Sequence, residues 1–223
     1  MTYGQLPVEI ADFFDLDLGE YQFIQYMPIF MPDGDDVRIP PNQFQAKRLR
    51  KLIHAVVEDQ GGIASLREHG LYVYLTTRYG FATPDNPLNR PGWHCDGFGS
   101  DDINYIWWNR WGTRVAHQPF YDIEPGHVES MRQFEEQIRP ENVRSLPNGT
   151  LYRLNPNVVH STPEIPAPGG ERQFIKVSVS RHRYNLQGNT HNFLFAYNWK
   201  MFPRDVARNH PVYGETDFYL END

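Results

Sequence analysis

The 223-residue chain contains one cysteine, Cys95, so no internal disulfide can form; such usage fits a reducing cytoplasm. No apolar run approaches the roughly 20 residues that span a bilayer. The first ten residues have neither the basic start nor the apolar stretch of a secretory signal. Positive charge is in deficit: 21 Lys and Arg stand against 28 Asp and Glu, a net charge of −7. Affinity for phosphate backbones is largely cationic, so this balance argues against nucleic acid as a partner. There is no Gly-x-Ser-x-Gly elbow, which disfavours a serine hydrolase. No repeat, low-complexity tract or long linker divides the chain. With 39% hydrophobic and 22% charged residues it reads as one globular domain over 1–223.

What is present begins with a helical signature. Asn42 and Gln45 form a capping-box pair, and Ala46, Leu49, Leu52, Ile53, Val56 and Val57 follow at helical spacing until Gly61-Gly62. Ile63 to His69 extends this as a short second helix. From residue 71 the texture turns to period-two runs rich in β-branched and aromatic residues. Strands are expected at Tyr21–Tyr26, Leu71–Tyr79, Gly92–Phe98, Ile103–Arg110, Thr113–Phe120, Leu151–Leu154, Val158–Ser161 and Arg172–Tyr184. The fourth and fifth of these would pair through Trp111-Gly112. A helix is expected over Pro125–Ile138, and Asn192–Trp199 as a strand or short helix. Residues 1–70 would support a β-core of 71–184, with 185–223 as a C-terminal extension. The fold class is mainly β with flanking helices, a double-stranded β-helix or cupin-like jelly roll.

The chemistry centres on His94-Cys95-Asp96. Such an HxD tripeptide arises by chance about 0.6 times in a chain of this composition, so its weight comes from placement. On a strand His94 and Asp96 would face one side and Cys95 the other. A third ligand from a distant strand, His160, would complete two imidazoles and one carboxylate, the set that holds a catalytic ferrous ion with positions left open. Arg172 then opens the last strand, where its guanidinium could grip a carboxylate in a fork that Lys cannot reproduce. Phe174, Lys176, Ser178 and Ser180 share its face, while Ile175, Val177 and Val179 share the other. Lys176 is thus an inward cation for co-substrate or acidic substrate, or else it meets water. His117, His127, His182, His191 and His210 have no comparable partners.

This order of HxD, spacer, late His and Arg resembles the 2-oxoglutarate/Fe(II)-dependent dioxygenase superfamily over roughly residues 71–184. The resemblance implies Fe(II) on His94, Asp96 and His160, and 2-oxoglutarate held through Arg172. It also implies a hydroxyl beside that arginine, for which Tyr74, Tyr79, Tyr105 and Ser178 are candidates. The implied activity consumes O₂ and hydroxylates a small molecule or a protein residue, with release of succinate and CO₂. Substrate would approach over residues 98–102, Trp107/Trp108 and Thr83–Arg90, and Arg90, Arg110 and Arg114 could select charged groups. Two other readings stay open. One is a cupin-type metal enzyme without 2-oxoglutarate, either a zinc hydrolase or another dioxygenase. The other is a metal-free jelly-roll binding module.

Overall fold

Two antiparallel sheets with helices on their outer sides form the computed structural model, which describes residues 3–41, 46–96, 100–124 and 126–204. The larger sheet runs, in spatial order, β1 (Val8–Asp12), β7 (Thr150–Leu154), β4 (Ile103–Trp108), β9 (Gly170–Ser180), β3 (Tyr72–Ala82) and β2 (Gln22–Phe30). The smaller places β5 (Arg114–Ala116) between β6 (Val143–Ser145) and β8 (His160–Ser161). Among the described residues three α-helices flank them: α1 (Ala46–Asp59), α2 (Gly62–Glu68) and α3 (His127–Gln137).

The long β3–β9 pair sets the two faces of the larger sheet. Its register runs unbroken from Tyr72 opposite Ser180 to Ala82 opposite Gly170. Side chains alternate along a strand, so Thr76, Lys176 and Ile106 share one face, and Leu75, Val177 and Tyr105 the other. The second face is apolar and takes α1, whose Leu49, Leu52, Ile53, Val56 and Val57 are buried against Leu75, Ile175, Val177 and Val179. Each such aliphatic side chain contributes about 1.5–3 kcal/mol when fully buried. The capping pair Asn42 and Gln45 lies outside the described residues. At the far end of the helix, Asp59 accepts hydrogen bonds from Arg153 Nη1 at 2.8 Å and from the Tyr105 hydroxyl, which fastens α1 to the sheet.

The opposite face meets the smaller sheet. Ile106, Trp108, Tyr152, Leu154 and Phe174 pack there with Val115, Leu146 and Val158. Beyond the smaller sheet, α3 inserts Phe134 among Trp93, Cys95, Ala116, Phe120 and Val159. The layers therefore run helix, large sheet, small sheet, helix. The site lies between the sheets.

Three expectations from the sequence are corrected. β4 and β5 do not form a hairpin: β4 is bonded on both edges by β7 and β9, and β5 belongs to the other sheet. Trp111 takes a left-handed φ of 54°, and a Cβ on Gly112 would stand 1.9 Å from the Leu146 carbonyl oxygen. That sharp, close passage carries the chain from one sheet to the other. Residues 92–96 form no continuous strand; His94 alone makes a β-bridge, to His160. Residues 192–199 adopt neither strand nor helix, because Asn192 Nδ2 donates to the carbonyls of Pro28 and Arg38, each at 2.8 Å, and holds the segment as a loop.

Candidate metal centre

A two-way backbone bridge assembles the centre. His94 N donates to His160 O and His160 N to His94 O, both at 2.9 Å, so the two rings stand side by side with centroids 4.5 Å apart. Each ring is also pinned at Nδ1, against Gly92 O at 2.9 Å for His94 and Val158 O at 3.0 Å for His160. A carbonyl can only accept, so each Nδ1 carries the proton and each Nε2 offers its lone pair, the orientation metal-bound histidines adopt. Asp96 completes the cluster, with Oδ2 3.7 Å from His160 Nε2. One donor atom from each of His94, Asp96 and His160 lies within 4.8 Å of the others. Donors sharing an ion at about 2.0–2.2 Å stand near 3 Å apart, so a small inward movement suffices. Cys95 points away, into the cluster under α3.

The electrostatics suit a cation. Burial pushes His94 down to about 3, helped by its neighbour His160, and burial also lowers His160. Both imidazoles are therefore neutral at neutral pH, with no proton to displace. Burial alone would raise Asp96, but the Lys176 ammonium, its Nζ at 2.8 Å, overrules it and holds the carboxyl below its usual range. Burial likewise opposes the charge on Lys176, and Asp96 with Tyr26 restores it. Lys176 is 7% exposed, so the reading in which it simply meets water is corrected.

Lys176 Nζ also donates to the Tyr26 hydroxyl at 3.3 Å. Tyr26 sits in a bulge of β2, where the register with β3 shifts between Ile24 and Met27, and its φ is 43°. A bulky residue rarely adopts that conformation, and bulges re-aim side chains. The Thr76 hydroxyl steadies the bulge by accepting the Tyr26 N–H at 3.0 Å. Tyr26 escaped the sequence analysis because the regular alternation of a strand would not put it here.

Arg172 lies on the same face of β9, four residues from Lys176, a Cα separation of about 13 Å at 3.3 Å per residue. It is completely buried, yet no carboxylate among the described residues pairs with it. Nη1 donates to Asn89 Oδ1 at 2.8 Å and weakly to Pro87 O at 3.4 Å, and Nε to Trp111 O at 3.4 Å. Nη2 has no partner there. Burial, with the nearby charge of Arg78, pushes its pKa down to about 9. Guanidinium keeps its proton at any ordinary pH.

The other candidates divide. Tyr105 is on the opposite face, bonded to Asp59 and Gln60 in the α1 core, and cannot stand beside Arg172. Tyr79 likewise faces outward, with its hydroxyl on Glu171. Tyr74 and Ser178 face the site's side of the sheet but are engaged: Tyr74 donates to His182 O at 2.8 Å, and Ser178 to Asn104 Oδ1 at 2.6 Å. Trp107 and Trp108 are core residues on opposite faces and do not line an entrance. Arg110 stacks over Trp111, while Arg114 pairs with Glu164. Arg90 is exposed and near enough for its charge to act on Asp96 and both histidines.

No protein-family model matches this chain, and no curated protein matches it in sequence. Among solved structures it is similar to IDO from Bacillus thuringiensis (15% identity, TM-score 0.39, covering 69% of this chain and 73% of that one). It is also similar to an oxidoreductase of the 2OG-Fe(II) oxygenase family from Burkholderia pseudomallei (16%, TM-score 0.39, 80% and 73%). A third is EvdO2 from Micromonospora carbonacea var. aurantiaca (12%, TM-score 0.37, 60% and 64%). Likenesses at these scores carry no weight for fold or function. The donor geometry does.

Proposed function

We propose that the chain is a non-haem Fe(II) dioxygenase with 2-oxoglutarate as co-substrate, built on a double-stranded β-helix. The observation that carries this reading is Arg172: a wholly buried guanidinium with an unpartnered Nη2 and no carboxylate partner among the described residues, on the sheet face from which Lys176 reaches Asp96 of the His/Asp/His donor set. A zinc hydrolase has no use for such a group, whereas a dicarboxylate co-substrate would satisfy it. When bound, iron and 2-oxoglutarate supply the oxidation that hydroxylates a C–H bond, with succinate and CO₂ released.

The chain's own residues do the rest. His94, Asp96 and His160 would hold the metal. Lys176 keeps Asp96 ionised and orients it through a 2.8 Å hydrogen bond. Arg172, steadied by Asn89, would take the distal carboxylate. Phe174, Ile106 and Trp108 belong to the buried apolar cluster packed between the sheets on the same face of the larger sheet as Lys176. The substrate in this reading is a small molecule or a peptide residue, reached past Arg90, and the buried free thiol of Cys95 accords with a cytoplasmic setting.

Anaerobic addition of Fe(II) and then 2-oxoglutarate should give a visible charge-transfer band that is absent in Asp96→Ala. Arg172→Ala should keep Fe(II) and need roughly 10–100-fold more 2-oxoglutarate, the loss of one or two hydrogen bonds to a charged group. A wild-type protein that binds metal tightly and ignores 2-oxoglutarate would sink the proposal.

A further inference from the structure

A second guanidinium stands beside Arg172 on the site's face of the larger sheet. Arg78 on β3 lies directly opposite Phe174 on β9, and Arg172 is two residues before Phe174 on the same face. Directly opposed side chains begin about 5 Å apart. Arg172 leans along its strand toward that level, with Cζ 5.5 Å from the centroid of the Phe174 ring. Both arginines also reach one short segment. Arg78 Nη1 donates to Leu88 O, and Arg172 Nη1 to the flanking Pro87 O and Asn89 Oδ1. On its other side Arg78 rests over Phe23, 5.0 Å from the ring centroid, and its Nη2 reaches Gln25 Oε1 only at 3.5 Å.

These contacts satisfy part of the pair's hydrogen bonding and none of its charge. Every acceptor named is a neutral carbonyl or amide, and no carboxylate among the described residues pairs with either arginine. Arg172 Nη2 and Arg78 Nε are both enclosed and lack a partner there. Arg78 is near enough for its charge to act on Arg172. A buried cation is costly without a counter-charge, and a like charge beside it adds repulsion. An anion held between the two would relieve both costs. The hydroxyl that the family likeness implies beside Arg172 is not supplied by its four candidates. Tyr79 and Tyr105 face the other way, and the engaged Ser178 and Tyr74 lie six residues along the β3–β9 pair from Arg172.

We propose that Arg78 takes the place of that hydroxyl, so that the distal carboxylate of the co-substrate is gripped between two guanidinium groups, an inference that rests on the oxygenase reading. Arg172 Nη2 and Arg78 Nε are the N–H groups left for its two oxygens. A hydroxyl would donate one hydrogen bond and no charge. A guanidinium donates the bond and brings a full positive charge that cannot be titrated away. Arg78 is thereby a specificity-determining residue: it makes the site select 2-oxo acids by the charge at their far end.

Binding, without turnover, tests the assignment. The full-length Mn(II)-loaded protein is titrated calorimetrically with 2-oxoglutarate and with 2-oxopentanoate, which has the same chain but ends in a methyl group. The ratio of the two affinities isolates the distal carboxylate. Arg78→Met should lower that ratio about 10-fold or more, the loss of a hydrogen bond to a charged group, and leave 2-oxopentanoate binding unchanged. A supporting role, in which Arg78 only steadies Arg172 through the Leu88 segment, is separated by a second background. There Arg78→Met would cost nothing once Arg172→Met is present. Direct contact predicts a further fall, to a ratio near one in the double variant. An unchanged ratio in Arg78→Met, or no further fall in the Arg172→Met background, overturns the inference. Should Arg78→Met fail to fold, Arg78→Lys carries the test: its single ammonium should lower the ratio by less, and an undiminished ratio again overturns the inference. Wild-type protein that binds Mn(II) and takes up neither acid fails the oxygenase reading itself.

Discussion

Lys176 joins the sheet, the acid ligand and Tyr26 through one ammonium group. Lys176→Met leaves Asp96 without the charge that opposes its burial, and removing one partner of such a pair costs about 3 kcal/mol. In the metal-loaded protein the cation supplies that charge. Urea denaturation should therefore show a large loss in metal-free Lys176→Met and a smaller loss with Mn(II) bound; equal losses would contradict the arrangement. The histidines give a pH signature. His94 is lowered from about 6.5 in the unfolded chain to about 3, so between those values the unfolded state binds more protons. Its contribution is complete above pH 6.5 and is lost as pH falls toward 3. Metal-free protein should lose about 2 kcal/mol from His94 alone between pH 7 and pH 5, read from the urea midpoint. Asp96, held low, titrates below this window. Residue type singled out His94, Asp96, His160 and Arg172 in the sequence as candidates, and the structure brings donor atoms of the first three within 4.8 Å of one another and buries the fourth. Tyr26 was not singled out, since a bulge aims it.

Among the elements, α1 is the clearest case of a sequence pattern deciding structure. Its apolar residues recur at three- and four-residue steps, and the helix lies with those positions on the larger sheet. Leu52, fully buried at the centre of that contact, should cost about 2–5 kcal/mol on truncation to Ala, measured by chemical denaturation. β9 was equally readable, since alternation sorts Ile175, Val177 and Val179 from Phe174 and Lys176. The boundary between β4 and β5 was not. Both runs alternate correctly, and local pattern says nothing about which sheet a strand joins. The HxD segment misled for a related reason: its orientation comes from one bridge to a strand 66 residues later, which propensity cannot register.

At the scale of the whole molecule, the site occupies the space between the sheets, so filling it should stabilise both layers together. With Mn(II) and 2-oxoglutarate at about 100 times their dissociation constants, linkage predicts about 2.7 kcal/mol per ligand, or roughly 5–10 °C in Tm for a chain of this size. A metal shift with no further shift from 2-oxoglutarate, in calorimetry of the wild type, would leave Arg172 without its proposed ligand. No helix among the described residues is long and apolar enough to cross a membrane.

By itself the sequence determined the β-rich class and the helix that covers the larger sheet, and it marked His94, Asp96, His160 and Arg172 as candidates. Each of these depends on residue type or on a short repeat along the chain. Only the tertiary structure decided that two distant imidazoles share a bridge, that Lys176 meets Asp96, and that Arg172 is buried with no carboxylate partner among the described residues. Those facts are distances between segments far apart in sequence, set by which strands pair and where the chain crosses between sheets.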